Sequence, residues 1–122
     1  MVNKVILVGN LCADPELRAL PDGRHVANLR VATNTYLGRD EDGNRREAAE
    51  FHTLVVFGRP AEVAGTYLRK GSLLYAEGRL QHRSWEGADG QKRHASEVVA
   101  DRFHMLGGKP EDAIPVTSAT AV

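Results

Sequence analysis

Only one stretch of this chain has a clear helical period, and it constrains the fold more than any other feature. Pro60 stands where a first helical turn tolerates a residue without an amide donor. Behind it Ala61, Ala64 and Leu68 recur at helical spacing, as do Val63 and Tyr67, and Arg69-Lys70-Gly71 offers basic side chains and a glycine for the C-terminal end. Everything around this segment is punctuated as strands. Val2 to Asn10 is a β-branched run closed by Gly9-Asn10, and His25 to Tyr36 alternates Ala27, Leu29 and Val31 with Asn28, Arg30 and Ala32. Between them Glu16 to Leu20 is a short segment bracketed by the turn signals Asp14-Pro15 and Pro21-Asp22-Gly23. A polar loop from Gly38 to Arg46 precedes a third strand, Glu50 to Phe57. After the helix, Ser72 to Leu80 reads as a fourth strand with a bulge or bend at Gly78. Arg83 to Trp85 then lead to a hairpin at Asp89-Gly90, and the last strand runs from Arg93 to Leu106.

The order is strand, strand, strand, helix, strand, strand. It predicts an all-β fold: a five-stranded Greek-key barrel of the oligonucleotide-binding kind, with one short helix between strands 3 and 4 and long β-hairpin loops. The 122 residues suit one domain. Gly107-Gly108 marks its end, giving a barrel domain over 1–108 and a flexible tail over 109–122, where two prolines and small residues show no period.

No catalytic constellation stands out. The five histidines, at 25, 52, 82, 94 and 104, share no metal-ligand spacing, and neither a nucleophile elbow nor a phosphate loop is present, so no enzyme, metal or cofactor is predicted. Cys12 is the sole cysteine and has no disulfide partner in the chain, and no segment approaches a membrane span, so a cytoplasmic protein is expected.

The formal net charge is zero, which on its own counts against a nucleic-acid partner. The distribution is uneven, however. Arg59 to Arg93 holds seven basic residues against four acids, while other acids cluster at Asp40-Glu41-Asp42, at Glu47 and Glu50, and at Glu111-Asp112. A basic groove with acidic edges is the expectation. Within the third strand, Phe51, Thr53, Val55 and Phe57 share one face and His52, Leu54 and Val56 the other, both largely apolar. Two readings are open there: the aromatics are packed, or they form a platform for stacking bases. Trp85, the only tryptophan, follows Arg83-Ser84 and precedes a hairpin loop. It either lies in a single-strand groove beside arginine or pins the base of the hairpin. Tyr36 and Leu37 could extend a platform, Tyr67 reads as core, and Tyr75 is ambiguous.

Several runs closely resemble the bacterial single-stranded DNA-binding protein family. They are Val2 to Leu11, Asp14 to Arg18, Glu50-Phe51-His52, Val56 to Arg59, Ala61 to Ala64, Tyr67 to Ser72, Tyr75 to Gly78, Arg83-Ser84-Trp85 and Met105 to Gly108. The resemblance implies a barrel that assembles into a homotetramer and wraps single-stranded DNA in replication, repair and recombination, in the cytoplasm at the nucleoid. By position, Phe51, Phe57 and Trp85 fall where that family stacks bases, and Leu37, with neighbouring Tyr36, where many members carry another tryptophan. Lys4, Arg59, Lys70 and Arg83 fall at or near phosphate-binding positions, and His52 at a subunit contact. Departures are visible too. Phe51 replaces a usual tryptophan and Leu37 an aromatic, so stacking is expected to weaken or shift to Tyr36. The loop from Arg39 to Glu50 holds five acids against three arginines. The chain ends at Ala119-Thr120-Ala121-Val122 without the acidic, aromatic tip that recruits replication and repair proteins in that family, so recruitment through such a tip is not expected. Two alternatives carry different partners. A replication-restart (primosomal) relative of the same fold would bridge proteins as a dimer, and a cold-shock type barrel would prefer RNA but lacks the intervening helix.

Overall fold

The computed structural model describes residues 1–107, so the boundary at Gly108 and the tail expected over 109–122 lie outside the described residues. The elements in chain order are β1 (Val5–Leu11), β2 (Glu16–Ala19), β3 (His25–Arg39), β4 (Arg45–Phe57), α1 (Arg59–Tyr67), β5 (Leu73–Glu86) and β6 (Lys92–Leu106). Neighbouring strands follow the order β1-β5-β6-β4-β3-β2, and β1 also pairs with β3 at Asn10↔Ala32 and Leu11↔Val31. That second pairing closes the five longer strands into a barrel and leaves no free edge between β1 and β3. Among the described residues the only parallel pairing is β4 with β6, at Leu54↔Val98 and Val55↔Val99.

Alternation decides what faces inward. Leu7 and Leu11 of β1 join Ala27, Leu29 and Val31 of β3, Leu54 and Val56 of β4, Leu74 and Ala76 of β5 and Val98 of β6 in one buried core. The helix closes that core with Ala61 and Ala64, joined by Leu68 just past its end. Two of these are alanines, which permit close approach but bury little area, so Leu68 is the anchor. Truncating it to alanine would cost about 2–5 kcal/mol.

The structure corrects four expectations. Tyr67 is exposed, not core: at roughly 100° per residue, Val63 and Tyr67 fall on the side of the helix away from Ala61 and Leu68. The helix ends at Tyr67, and Leu68 is already extended. Gly71 therefore serves as a turn residue at φ +94°, its amide bonded to Leu11 O, rather than as the helix cap. The Arg69 side chain still reaches back to the last carbonyls, donating from Nη1 to Gly65 O and Leu68 O. Glu16–Ala19 is a strand, β2, laid along β3 from Glu16↔Asn28 to Ala19↔His25. Finally, the β3–β4 hairpin is longer than the apolar pattern suggests. Its turn is confined to Asp40–Asn44, where Asp40 Oδ1 accepts the amides of Asp42 and Asn44 and Gly43 takes φ +82°.

Gly78 lies inside a continuous β5, where a Cβ would run into the backbone of Val99. The bulge expected there is carried by the partner strand: the register passes from Glu77↔Arg102 to Gly78↔Ala100, leaving Asp101 of β6 as the extra residue.

Candidate nucleic-acid interface

With Leu54 and Val56 committed to the core, Phe51, Thr53, Val55 and Phe57 of β4 must point outward. They stand opposite Ala32, Arg30, Asn28 and Val26 of β3. Phe51 is 56% and Phe57 43% exposed, so neither ring is buried within the chain. The Arg30 guanidinium lies 5.8 Å from the centre of the Phe51 ring.

The same outward alternation runs along β5 and β6, which pair Arg79 with Val99, Gln81 with Glu97, Arg83 with Ala95 and Trp85 with Arg93. Trp85 is 44% exposed, and the Arg83 guanidinium sits 4.7 Å from its ring centre. The ring is therefore sandwiched on one face by a cation, as electrostatics favours. β6 lies between β4 and β5, so the phenylalanine row on β4 and the Arg83–Trp85 row on β5 flank one intervening strand on the barrel's outer surface. Between them is a cleft of about 260 Å³ whose lining includes Asn28, Arg30, Thr53, Arg83 and Glu97.

The remaining predicted residues are placed as follows. Tyr36 is exposed on the β3–β4 hairpin opposite Glu47, with the Arg45 guanidinium 4.7 Å from its ring centre. Leu37 is also exposed and is the unpaired residue where the register slips from Tyr36↔Glu47 to Gly38↔Arg46. Arg59 opens α1 and, with Phe57, Phe103 and Met105, lines a second cleft of about 470 Å³. Lys70 lies in the turn after α1, its backbone amide bonded to Asp14 Oδ1 at the rim of the first cleft. Lys4 is apart from the aromatic rows, 3.4 Å from Glu77 on the side of β1 and β5. His52 points away from Phe51 and Phe57 as alternation requires, half-buried, its Nε2 2.9 Å from Thr33 Oγ1.

The structure thus sets Phe57 beside Arg59 at one cleft and Arg83 against Trp85 at the edge of the other, keeps Phe51 on the face of β4 that carries Phe57, and leaves Lys4 elsewhere. It adds two residues that the sequence did not single out. Arg30 is one polar position in an alternating strand, and only the register opposite Thr53 puts it beside Phe51. Glu97 carries no sequence signal for its burial.

A different outer surface lies across β1 and β5. Ile6 and Val8 are more than half exposed there, next to Glu77 and Tyr75 in the register. The Tyr75 hydroxyl donates to Glu77 Oε2 at 2.6 Å. That hydrogen bond, helped by Lys4, holds the Glu77 carboxyl below its ordinary range, and the same bond raises the Tyr75 phenol. Among the described residues no three His, Cys, Asp or Glu side chains are grouped to hold a metal ion, and no helix is long and apolar enough to cross a membrane.

Comparison with known proteins gives a consistent picture. The single-strand binding protein family matches residues 2–106. Among solved structures, the Plasmodium falciparum SSB in complex with ssDNA superposes with a TM-score of 0.78 at 25% identity, covering 87% of this chain and 96% of that one. A deletion mutant of the single-stranded DNA binding protein from Thermus aquaticus superposes with a TM-score of 0.74 at 37% identity. It covers 93% of this chain, which spans 54% of that one.

Proposed function

The chain belongs to the single-strand binding protein family, and from that premise we propose that it holds single-stranded DNA by stacking bases on Phe51, Phe57 and Trp85. Arginines and lysines track the phosphates. The observation that carries this reading is the outer surface on which three half-exposed rings stand, Phe51 with Arg30 and Trp85 with Arg83 against them. Every base has a π-face, so such a surface reads strand flexibility and stacking rather than sequence. Arg59 and Lys70 extend the phosphate path at the two clefts, Tyr36 and Leu37 extend the platform along the hairpin, and Lys4 meets DNA only where the strand wraps beyond the aromatic rows.

A barrel of this kind takes roughly 4–16 nucleotides, so longer tracts require several chains. The assembly proposed is a homotetramer, with Ile6 and Val8 of β1 covered by a second copy and His52 at a subunit contact. Its place is the cytoplasm, at the nucleoid, in replication, repair and recombination, and its action is non-enzymatic. The bridging-protein alternative gains no support from the family match or from either structural relative.

The test is a titration of Trp85 fluorescence with oligo-dT at low and high salt, set against duplex of equal length. Quenching by oligo-dT that weakens steeply as salt rises is the expected result, since bound cations are displaced from the DNA. Equal affinity for duplex would sink the reading. An unchanged signal with binding shown independently would move the platform to Phe51 and Phe57.

A further inference from the structure

A carboxylate in the floor of a groove meant for a polyanion needs a reason. Glu97 is only 8% exposed, the one charged residue buried among the described residues, and it lines the cleft between the two aromatic rows. Buried carboxylates persist where they are paired and hydrogen-bonded. Here Oε1 lies 3.1 Å from Arg83 Nε and accepts a 3.4 Å hydrogen bond from Gln81 Nε2. Arg83 has no other acidic partner among the described residues, and its side chain is otherwise 55% exposed over the Trp85 ring. The three groups form one line: carboxylate, guanidinium, indole.

We propose that Glu97 is a positioning residue for DNA binding, which it serves by clamping Arg83 against one face of Trp85. The clamp leaves the other face of the indole for a base and holds the cation at the edge of the stack, where a phosphate follows. An exposed arginine samples many rotamers, and fixing it before DNA arrives removes that ordering cost from the binding step. The carboxylate's repulsion of phosphate is offset because its charge is already matched by Arg83. This inference rests on the single-strand binding reading above and concerns how one part of that surface is organised.

Glu97→Gln keeps the shape and the contact to Gln81 but removes the charge that holds Arg83. The experiment compares the parent, Glu97→Gln, Arg83→Met and the double variant by oligo-dT titration, following Trp85 quenching across a salt series. Glu97→Gln is expected to weaken binding about five- to tenfold and to reduce the maximal quench, because a loosened partner no longer orients the ring. The double variant is expected to be no weaker than Arg83→Met alone, since the carboxylate acts only through the arginine. Additive losses in the double variant would overturn the proposal. So would tighter binding by Glu97→Gln with full quench, which would make Glu97 merely an opposing charge. A generally destabilised barrel would give additive losses together with a lowered melting temperature. Arg83→Met cuts the same link from its exposed end and leaves Glu97 without its cation, so its melting temperature is measured beside its affinity. Failure of the parent to bind oligo-dT would remove the binding reading itself and this inference with it, whereas a binding parent with an additive cycle would remove only the role of Glu97.

Discussion

Two outer surfaces of this barrel expose large apolar side chains, and they differ in what stands between those side chains. On the surface of β3, β4, β6 and the distal half of β5, the exposed groups are rings, and each of Phe51 and Trp85 has a guanidinium against it. On the surface of β1 and the proximal half of β5, the exposed groups are the aliphatic Ile6 and Val8, and their polar neighbours are satisfied internally through Tyr75, Glu77 and Lys4. Rings offer a flat face to a base and cations offer charge to a phosphate. Aliphatic side chains beside neutralised polar groups offer neither, but suit burial against another protein surface. Exposure alone does not tell these apart; the identity of the intervening charges does.

The comparison breaks first at the rings. Trp85→Ala is expected to weaken oligo-dT binding about 5- to 150-fold, the equivalent of one base stack, with Phe51→Ala and Phe57→Ala each in the same range. Fluorescence anisotropy of a labelled oligonucleotide measures this. Loss confined to none of the three would mean that the rings are not the platform.

Next in size is the β1 surface. Ile6→Glu with Val8→Glu should lower the oligomeric mass in sedimentation while short oligonucleotides still bind, because like charges would be buried at the contact. Binding to long tracts should fall, since one barrel no longer sits beside others on the same strand. If the mass is unchanged, this surface is not a subunit contact. A smaller effect is expected at Arg30→Ala: the slope of log K against log salt should drop by about 0.7 if the guanidinium neutralises one phosphate. An unchanged slope would restrict Arg30 to supporting Phe51.

The smallest effect is electrostatic. The Glu77 carboxyl is lowered by its hydrogen bond from Tyr75, so its contribution to stability is present above the ordinary value of 4.5 and is lost as pH falls through the lowered value. The Tyr75 phenol is raised, so its contribution is present below 10.0 and is lost as pH rises through the raised value. The melting-temperature gap between the parent and Tyr75→Phe should accordingly be widest near neutral pH and narrow in acid. A gap independent of pH would show that the hydroxyl acts without the charge of Glu77.

Much of the fold was readable from residues because burial imposes a period. The core face of β3 follows directly from its apolar alternation, and on β4 and α1 the apolar spacing narrows the inward set to one of two faces. β2 and the outer halves of the β3–β4 hairpin were not readable in this way, because Glu16–Ala19 and Arg45–Glu50 are exposed or nearly so along their length and are held by backbone pairing to β3. Tyr67 misled for a related reason: two helical stripes were present, and spacing does not say which one faces the barrel.

By itself the sequence determined which residues could stack bases and which side of β4 they share, since a two-residue period leaves no freedom once Leu54 and Val56 are inside. Only the tertiary structure decided what those rings keep company with. Arg30 reaches Phe51 through the register of β3 on β4, and Glu97 reaches Arg83 through the pairing of β5 with β6. Lys4 is carried away to Glu77 by the pairing of β1 with β5. Strand register joins residues that lie far apart in the chain, and no local pattern of side chains encodes which distant residue will stand opposite.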